Sequence, residues 1–329
     1  MERPTEGLSE LDLRRRSVHL RGLADLRLVT VADGSGAGGR LLEVRTPWGL
    51  SFDLALDRGG DVLRLSWRGH ELGWHSAAGA PSPWPALDAE DGLGFLRGFD
   101  GFLVTCGLDH HGRPAETAAD HFRYPLRERN VHPLHGRLVA GKAELLIKEI
   151  DWPAGLIRIR LVTRQASVFG EVLELDRLVE VGLAAPRIAL TDTVTNRGFR
   201  PTRHGILYHF NVGFPLLDEA ARLCGDWELR DRLDEGGAAP SDEHVEIVEV
   251  GPSPPSGEIG IRNERLGVQL RLAYDPAVLP ATALWRAFQS GVFALGLEPQ
   301  TVFPEDPDAA LLGAGERRVY QVSISLDPA

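Results

Sequence analysis

Near the C-terminus the chain reads Ala294-Leu295-Gly296-Leu297-Glu298-Pro299-Gln300, an alternating apolar stretch that runs into a carboxylate and then a proline. A glutamate at a strand end is held by backbone rather than by a mobile loop. A general base needs that, because it must stay within hydrogen-bond reach of the proton it takes. The proline removes a ladder donor, so pairing is expected to end there. Two further segments supply imidazoles, which can carry a proton near neutral pH. They are Pro133-Leu134-His135-Gly136-Arg137 and Leu207-Tyr208-His209-Phe210-Asn211. Residues two apart on a strand share a face, so His209 points to the same side as Leu207 and Asn211. His204, in Arg203-His204-Gly205, is the rival proton carrier. Its five-residue offset sends it to the other face unless a bulge at Gly205 intervenes.

Histidine is also the commonest metal ligand, and His110, His111, His121, His132 and His135 lie within a short span. Adjacent His110 and His111 point to opposite sides of an extended chain. No His-x-His pair, His-x₃-His pair with a supporting carboxylate, or Cys-x₂-Cys unit accompanies them. The expectation is a site without metal. Cys106 and Cys224 are too few to staple a chain of 329 residues and read as free thiols, with Cys106 a small buried apolar residue.

The elements that must position these residues are strands. Phe52, Leu54 and Leu56 alternate with polar neighbours, as do Leu63, Leu65 and Trp67. So do Ile157, Ile159 and Leu161, then Val268, Leu270, Leu272 and Tyr274, and finally Tyr320, Val322, Ile324 and Leu326. Period two with one apolar face, broken by Gly, Pro and Asp turns, predicts an all-β sandwich or barrel. Residues 73–132 lack any sustained period and are rich in aromatics (Trp74, Trp84, Phe95, Phe99, Phe102), which predicts a binding loop or a cover over one end of the sandwich. Residues 33–39 form a glycine-rich turn without the lysine of a phosphate-binding loop. No internal repeat or linker divides the chain. The reading is an N-terminal arm and first turn over residues 1–40, then one domain over residues 41–329.

The net charge of −11 argues against a nucleic-acid partner. The absence of a long apolar run, or of a basic segment leading into one, predicts neither a membrane span nor a secretory signal, hence a cytoplasmic protein.

Histidine, histidine and glutamate, in that order on a β-rich scaffold, resemble the aldose 1-epimerase (galactose mutarotase) superfamily from about Leu41 to the end, as a divergent bacterial branch. The resemblance implies a supersandwich of twisted antiparallel sheets and an isomerase that interconverts sugar anomers by acid–base ring opening, without metal or cofactor. It implies Glu298 as the base on the C1 hydroxyl, with Pro304 and Pro307 in the family's proline-containing loop and Gly315-Glu316 as its C-terminal turn. The family's acid histidine stands three residues before the phenylalanine of a His-x-x-Phe-Asn motif. Leu207 occupies that position here, and His209, directly before Phe210-Asn211, takes the role of acid on the ring oxygen. His135 matches the family's Leu-His-Gly histidine, which binds near the ring oxygen. The sugar-clamping arginine falls to Arg97, with Arg137 and Arg113 as competitors, and Asp109, Asp231 and Asn211 are further substrate-binding candidates. The hydroxyl-binding aspartate of galactose mutarotases has no counterpart, so the sugar stays open. The implied partner is a monosaccharide, on a monomer or homodimer. Two alternatives remain: a carbohydrate-binding sandwich without turnover, and a metal-dependent sugar isomerase or lyase.

Overall fold

A computed structural model describes residues 9–119, 127–233, 238–303 and 310–329. Residues 1–8 of the N-terminal arm, His121, Pro304 and Pro307 lie outside the described residues.

Two large antiparallel sheets pack face to face. Among the described residues the first has ten strands. Along its path they are Asp25–Thr30, Arg40–Arg45, Leu50–Ala55, Asp61–Trp67, Leu103–Leu108, Gly205–Val212, Ala294–Gln300, Ala281–Ala287 and Glu246–Pro252, with His70–Glu71 paired to the fourth. The second has eight, in the order Ala221–Gly225, Glu258–Asn263, Val268–Tyr274, Arg317–Asp327, Arg187–Asn196, Val172–Gly182, Leu156–Ala166 and Glu144–Asp151. This is the all-β sandwich that the period-two patterning predicts. Among the described residues, no helix is long and apolar enough to cross a membrane.

The alternating strands do what their pattern dictates. In Leu156–Ala166 the residues Ile157, Ile159 and Leu161 are buried, and in Arg317–Asp327 the buried set is Tyr320, Val322, Ile324 and Leu326. They fill one continuous core between the sheets together with Phe52, Leu54, Leu65 and Trp67. Asp25–Thr30 pairs along its whole length with Arg40–Arg45, so the first sheet begins inside the segment read as an arm. Before it, Glu10–Arg16 is a short helix, closed by a capping box between Ser9 and Asp12.

The aperiodic stretch hides a central strand. Leu103–Leu108 is buried at every position, with the inter-sheet core on one face and the aromatic cover on the other. A strand covered on both faces has no reason to alternate, which is why periodicity misses it. The same is true of its neighbour Gly205–Val212, buried throughout. On that strand Ile206, Tyr208, Phe210 and Val212 face the inter-sheet core, whereas Leu207 faces the second apolar cluster. That cluster contains Trp74, Trp84, Phe95, Phe99 and Trp285 and lies on the outer face of the first sheet.

Candidate active site

The cross-strand register brings the two candidate catalytic groups together. Leu207 lies opposite Gln300 and Phe210 opposite Leu297, so the same register sets His209 beside Glu298 on the outer face. Pairing does not end at the proline: Pro299 lies opposite Thr282 and Gln300 opposite Ala281. Pro299 withholds one donor, while its neighbours keep the strand in place.

The His209 Nε2 to Glu298 Oε1 distance is 3.1 Å, and each residue is 4 % exposed. Close as they are, the ring nitrogen and the carboxylate are not aligned as a hydrogen bond, and among the described residues Glu298 Oε1 and His209 Nδ1 are both buried without a hydrogen-bond partner. The space they share depends on Gly296, two residues before Glu298 on the same face. A Cβ there would stand 2.7 Å from Glu298 Oε1 and 3.0 Å from His209 Cε1. An interior strand glycine of this kind marks a close approach.

Burial sets the protonation of the pair. Burial pushes the Glu298 carboxyl up to about 8. Burial, then the neighbouring His135, holds His209 well below the usual imidazole range, and Asn211 acts weakly in the other direction. At neutral pH the pair is therefore a carboxylic acid beside a neutral imidazole, holding one mobile proton and no net charge.

His135 enters from a turn with left-handed backbone, φ +60° at His135 and +76° at Gly136. A Cβ on Gly136 would run into the carbonyl oxygens of His110 and Gly107, so this position admits glycine alone. The turn is clipped to the end of Leu103–Leu108, through Gly107 N–H to His135 O at 3.1 Å and Arg137 N–H to Gly107 O at 3.0 Å. His135 Nδ1 accepts a long bond from Gly112 N–H at 3.4 Å, which leaves Nε2 as its N–H donor. Its ring lies edge-on to His209 at 5.5 Å and packs on Phe95 at 4.9 Å.

All three groups line one cleft of about 540 Å³, large enough for a monosaccharide. Phe99 and Trp285 flank His209, with ring centroids 4.9 and 5.5 Å away, and offer apolar faces of the kind a sugar ring stacks on. Glu246, Val248 and Val250 of the edge strand form the opposite wall, and Arg113 stands at the rim.

The other candidates lie elsewhere. Arg97 ends the short turn that sends Phe95 and Leu96 toward the cleft, and itself points to solvent, where it pairs with Glu90 at 2.6 Å. Arg137 bonds Asp88 at 2.7 Å and the Val131 carbonyl at 3.0 Å. Asp109 is buried against His132 Nδ1 at 3.0 Å and Gln165 Nε2 at 2.6 Å. Arg137 and Asp109 both border a separate pocket. Asp231 is exposed and pairs with Arg230. Asn211 is fully buried behind His209 and is not part of the cleft wall. The structure does not bring these five into the cleft: each side chain is either paired with protein partners or buried away from the cleft wall. His204 faces the inter-sheet side, where Nδ1 meets the Leu108 carbonyl at 2.8 Å and Nε2 the Tyr320 hydroxyl at 2.9 Å. Among the described residues, no group of three or more His, Cys, Asp or Glu is placed to hold a metal ion. Both cysteines are free thiols, with Cys106 buried.

Sequence reasoning missed Trp285 and Glu246, joined by an indole N–H to carboxylate bond of 3.2 Å. Gly296 was the available signal. It lies directly opposite Trp285, so whatever faces it across the strands borders the cleft.

The model of a family described as a domain of unknown function (DUF4432) matches residues 36–325. No curated protein matches the chain. Among solved structures, a candidate aldose 1-epimerase from Klebsiella pneumoniae aligns over 92% of this chain and 83% of its own, with a TM-score of 0.78 and 21% identity. A galactose mutarotase-like protein from Clostridium acetobutylicum aligns over 94% and 100%, at 0.64 and 12%. Galactose 1-epimerase from Lactobacillus acidophilus aligns over 93% and 99%, at 0.57 and 11%. At these identities the likeness is one of fold.

Proposed function

We propose that this chain, which belongs to the DUF4432 family of domains of unknown function, interconverts the anomers of a monosaccharide by acid–base opening and closing of its ring. The observation that carries the reading is the Glu298–His209 pair: buried, uncompensated, 3.1 Å apart and open to a cleft of sugar size. A protein that only bound sugar would have no use for two proton-transfer groups kept so short of partners. The names carried by proteins of the same fold agree with this reading.

A cyclic sugar presents two oxygens on C1, the hydroxyl and the ring oxygen. In the first step one group takes the hydroxyl proton, the C1 to ring-oxygen bond breaks as C1 becomes a carbonyl, and the other group protonates the ring oxygen. Rotation about C1–C2 exposes the other carbonyl face. Ring closure returns both protons in reverse, so atoms and charge balance and each group serves in both roles. The resemblance allots the base to Glu298 and the acid to His209. Burial favours the opposite starting state, with the proton on Glu298 and the lone pair on His209. The pair holds the same single proton either way. On this reading the Glu298 carboxyl protonates the ring oxygen while His209 Nε2 takes the hydroxyl proton. His135 Nε2–H binds the sugar, and Phe99 and Trp285 stack on its ring.

The test is anomer exchange, followed by NMR across neutral, acidic and phosphorylated sugars at catalytic protein concentration. Acceleration for at least one sugar is expected. Binding without acceleration for any of them would make this a carbohydrate-binding sandwich.

A further inference from the structure

Two buried polar atoms beside the cleft face a shared problem. Among the described residues His209 Nδ1 has no hydrogen-bond partner, and neither has Asn211 Oδ1, on the residue two positions along the same strand and on the same face. Leaving either one unsatisfied costs stability, because a buried polar atom has given up its water without a replacement. The Asn211 amide cannot be turned round to help. Its nitrogen donates to the carbonyls of Gly101 at 2.9 Å and His209 at 3.3 Å, and two carbonyl acceptors require the NH₂ end. Only the oxygen is left for the imidazole. If His209 carried its proton on Nε2, both orphans would be acceptors and neither could satisfy the other. With the proton on Nδ1, one is a donor and the other an acceptor, so a small side-chain rotation satisfies both.

We propose that Asn211 is the positioning residue of the catalytic pair: its side-chain oxygen accepts from His209 Nδ1–H and so keeps Nε2 unprotonated, facing Glu298. Nδ1 then carries the proton on the Asn211 side of the ring, and Nε2, 3.1 Å from Glu298 Oε1, carries the lone pair. This fixes which nitrogen can take a proton from substrate. Around the pair stand His135, Cys106 from the neighbouring strand, and Glu246 and Arg113 at the rim. The consequence for turnover rests on the anomerase reading, whereas the tautomer does not.

The test begins with the unmodified protein. Long-range ¹H–¹⁵N spectra of histidine-labelled full-length chain at pH 7, with the His209 signals identified by their loss in His209→Gln, should show a neutral ring protonated on Nδ1. A ring protonated on Nε2, or an imidazolium, overturns the proposal without any Asn211 variant having to fold. Asn211→Ala should then give a mixed or inverted tautomer. On a sugar that the unmodified protein turns over, kcat should fall at least about tenfold, toward the ~10⁴-fold lost when a triad histidine is held in the wrong tautomer, with KM little changed. Asn211→Asp keeps an acceptor and should retain the Nδ1–H form, with the histidine's lower pH limit shifted upward by the added charge. An altered tautomer with unchanged kcat would deny Asn211 its catalytic consequence. Absence of turnover in the unmodified protein would remove the anomerase reading and leave the tautomer result standing.

Discussion

One strand, Gly205–Val212, carries two polar clusters on opposite faces, and they are built on opposite principles. On the inner face Tyr208 donates to Asp192 at 2.8 Å, and Asp192 holds Arg177 through both carboxylate oxygens, at 2.8 and 2.7 Å. Arg177 also reaches the Gly60 carbonyl at 3.0 Å and the Thr105 hydroxyl at 2.8 Å. Its charge lies 3.7 Å from Asp61, whose Oδ2 is the one loose atom in the group. On the outer face His209, Glu298 and Asn211 are as deeply buried, yet among the described residues each has an atom without a partner and no cation stands against the carboxylate. A buried ionic group with its bonds made joins the two sheets. A buried group short of bonds costs stability and is kept ready for a ligand that can complete it.

The contrast can be broken from either side, and the largest effect belongs to the inner face. Arg177→Met leaves Asp192 buried with its charge unmatched. It should lower stability by about 3–5 kcal/mol, read as a large drop in the denaturation midpoint. A loss below about 1 kcal/mol would mean that the network does not hold the sheets together.

Glu298→Gln should do the reverse at alkaline pH. Glu298 rises from an unfolded value of 4.5 to about 8 in the fold, so the folded chain keeps a proton that the unfolded chain gives up. Stability from this group is complete below about 4.5 and is lost as pH rises through 8, by up to about 1.4 kcal/mol per pH unit. The buried histidines with lowered values, His209 among them, act with opposite sign only below 6.5. Asp61, raised to about 6, finishes titrating before the same window. His75, held up to about 9 by Asp100 and Glu71, also loses stability above 6.5, but equally in both proteins. Melting curves between pH 6.5 and 8 should therefore fall more steeply for the unmodified chain than for Glu298→Gln. Parallel curves would place the Glu298 pKa near its ordinary value.

Smaller effects follow at the edges of the comparison. Tyr320→Phe removes one neutral partner of His204 and should cost about 1 kcal/mol in denaturant titration, with anomer exchange unchanged. A selective loss of exchange would return His204 to the list of proton carriers. Arg97→Ala, at an exposed pair with Glu90, should change neither melting temperature nor sugar affinity, and a weakened affinity would restore Arg97 as the clamp.

What the sequence made legible follows from how burial writes on it. One-sided strands such as Leu156–Ala166 and Arg317–Asp327 alternate and were readable, and with them the fold class. Leu103–Leu108 is covered on both faces and left no period to read. Glu298, His209 and His135 could be singled out because each sits in a short motif, Leu-Glu-Pro-Gln, His-Phe-Asn or Leu-His-Gly, that carries the family resemblance. The arginines and aspartates could not. Whether Arg97 or Arg113 meets the cleft depends on how a loop folds over the sheet, and Asp109 is claimed by His132 and Gln165, 23 and 56 residues away. No local pattern records such contacts.

The account stands most directly on the rate of anomer exchange in Glu298→Gln, measured by NMR on a sugar that the unmodified protein turns over. Glutamine preserves the shape of the protonated carboxyl but cannot relay a proton. The exchange rate should fall by about 10²–10⁴ while the sugar still binds and the fold persists. Undiminished exchange in that variant would contradict the acid–base assignment of the cleft.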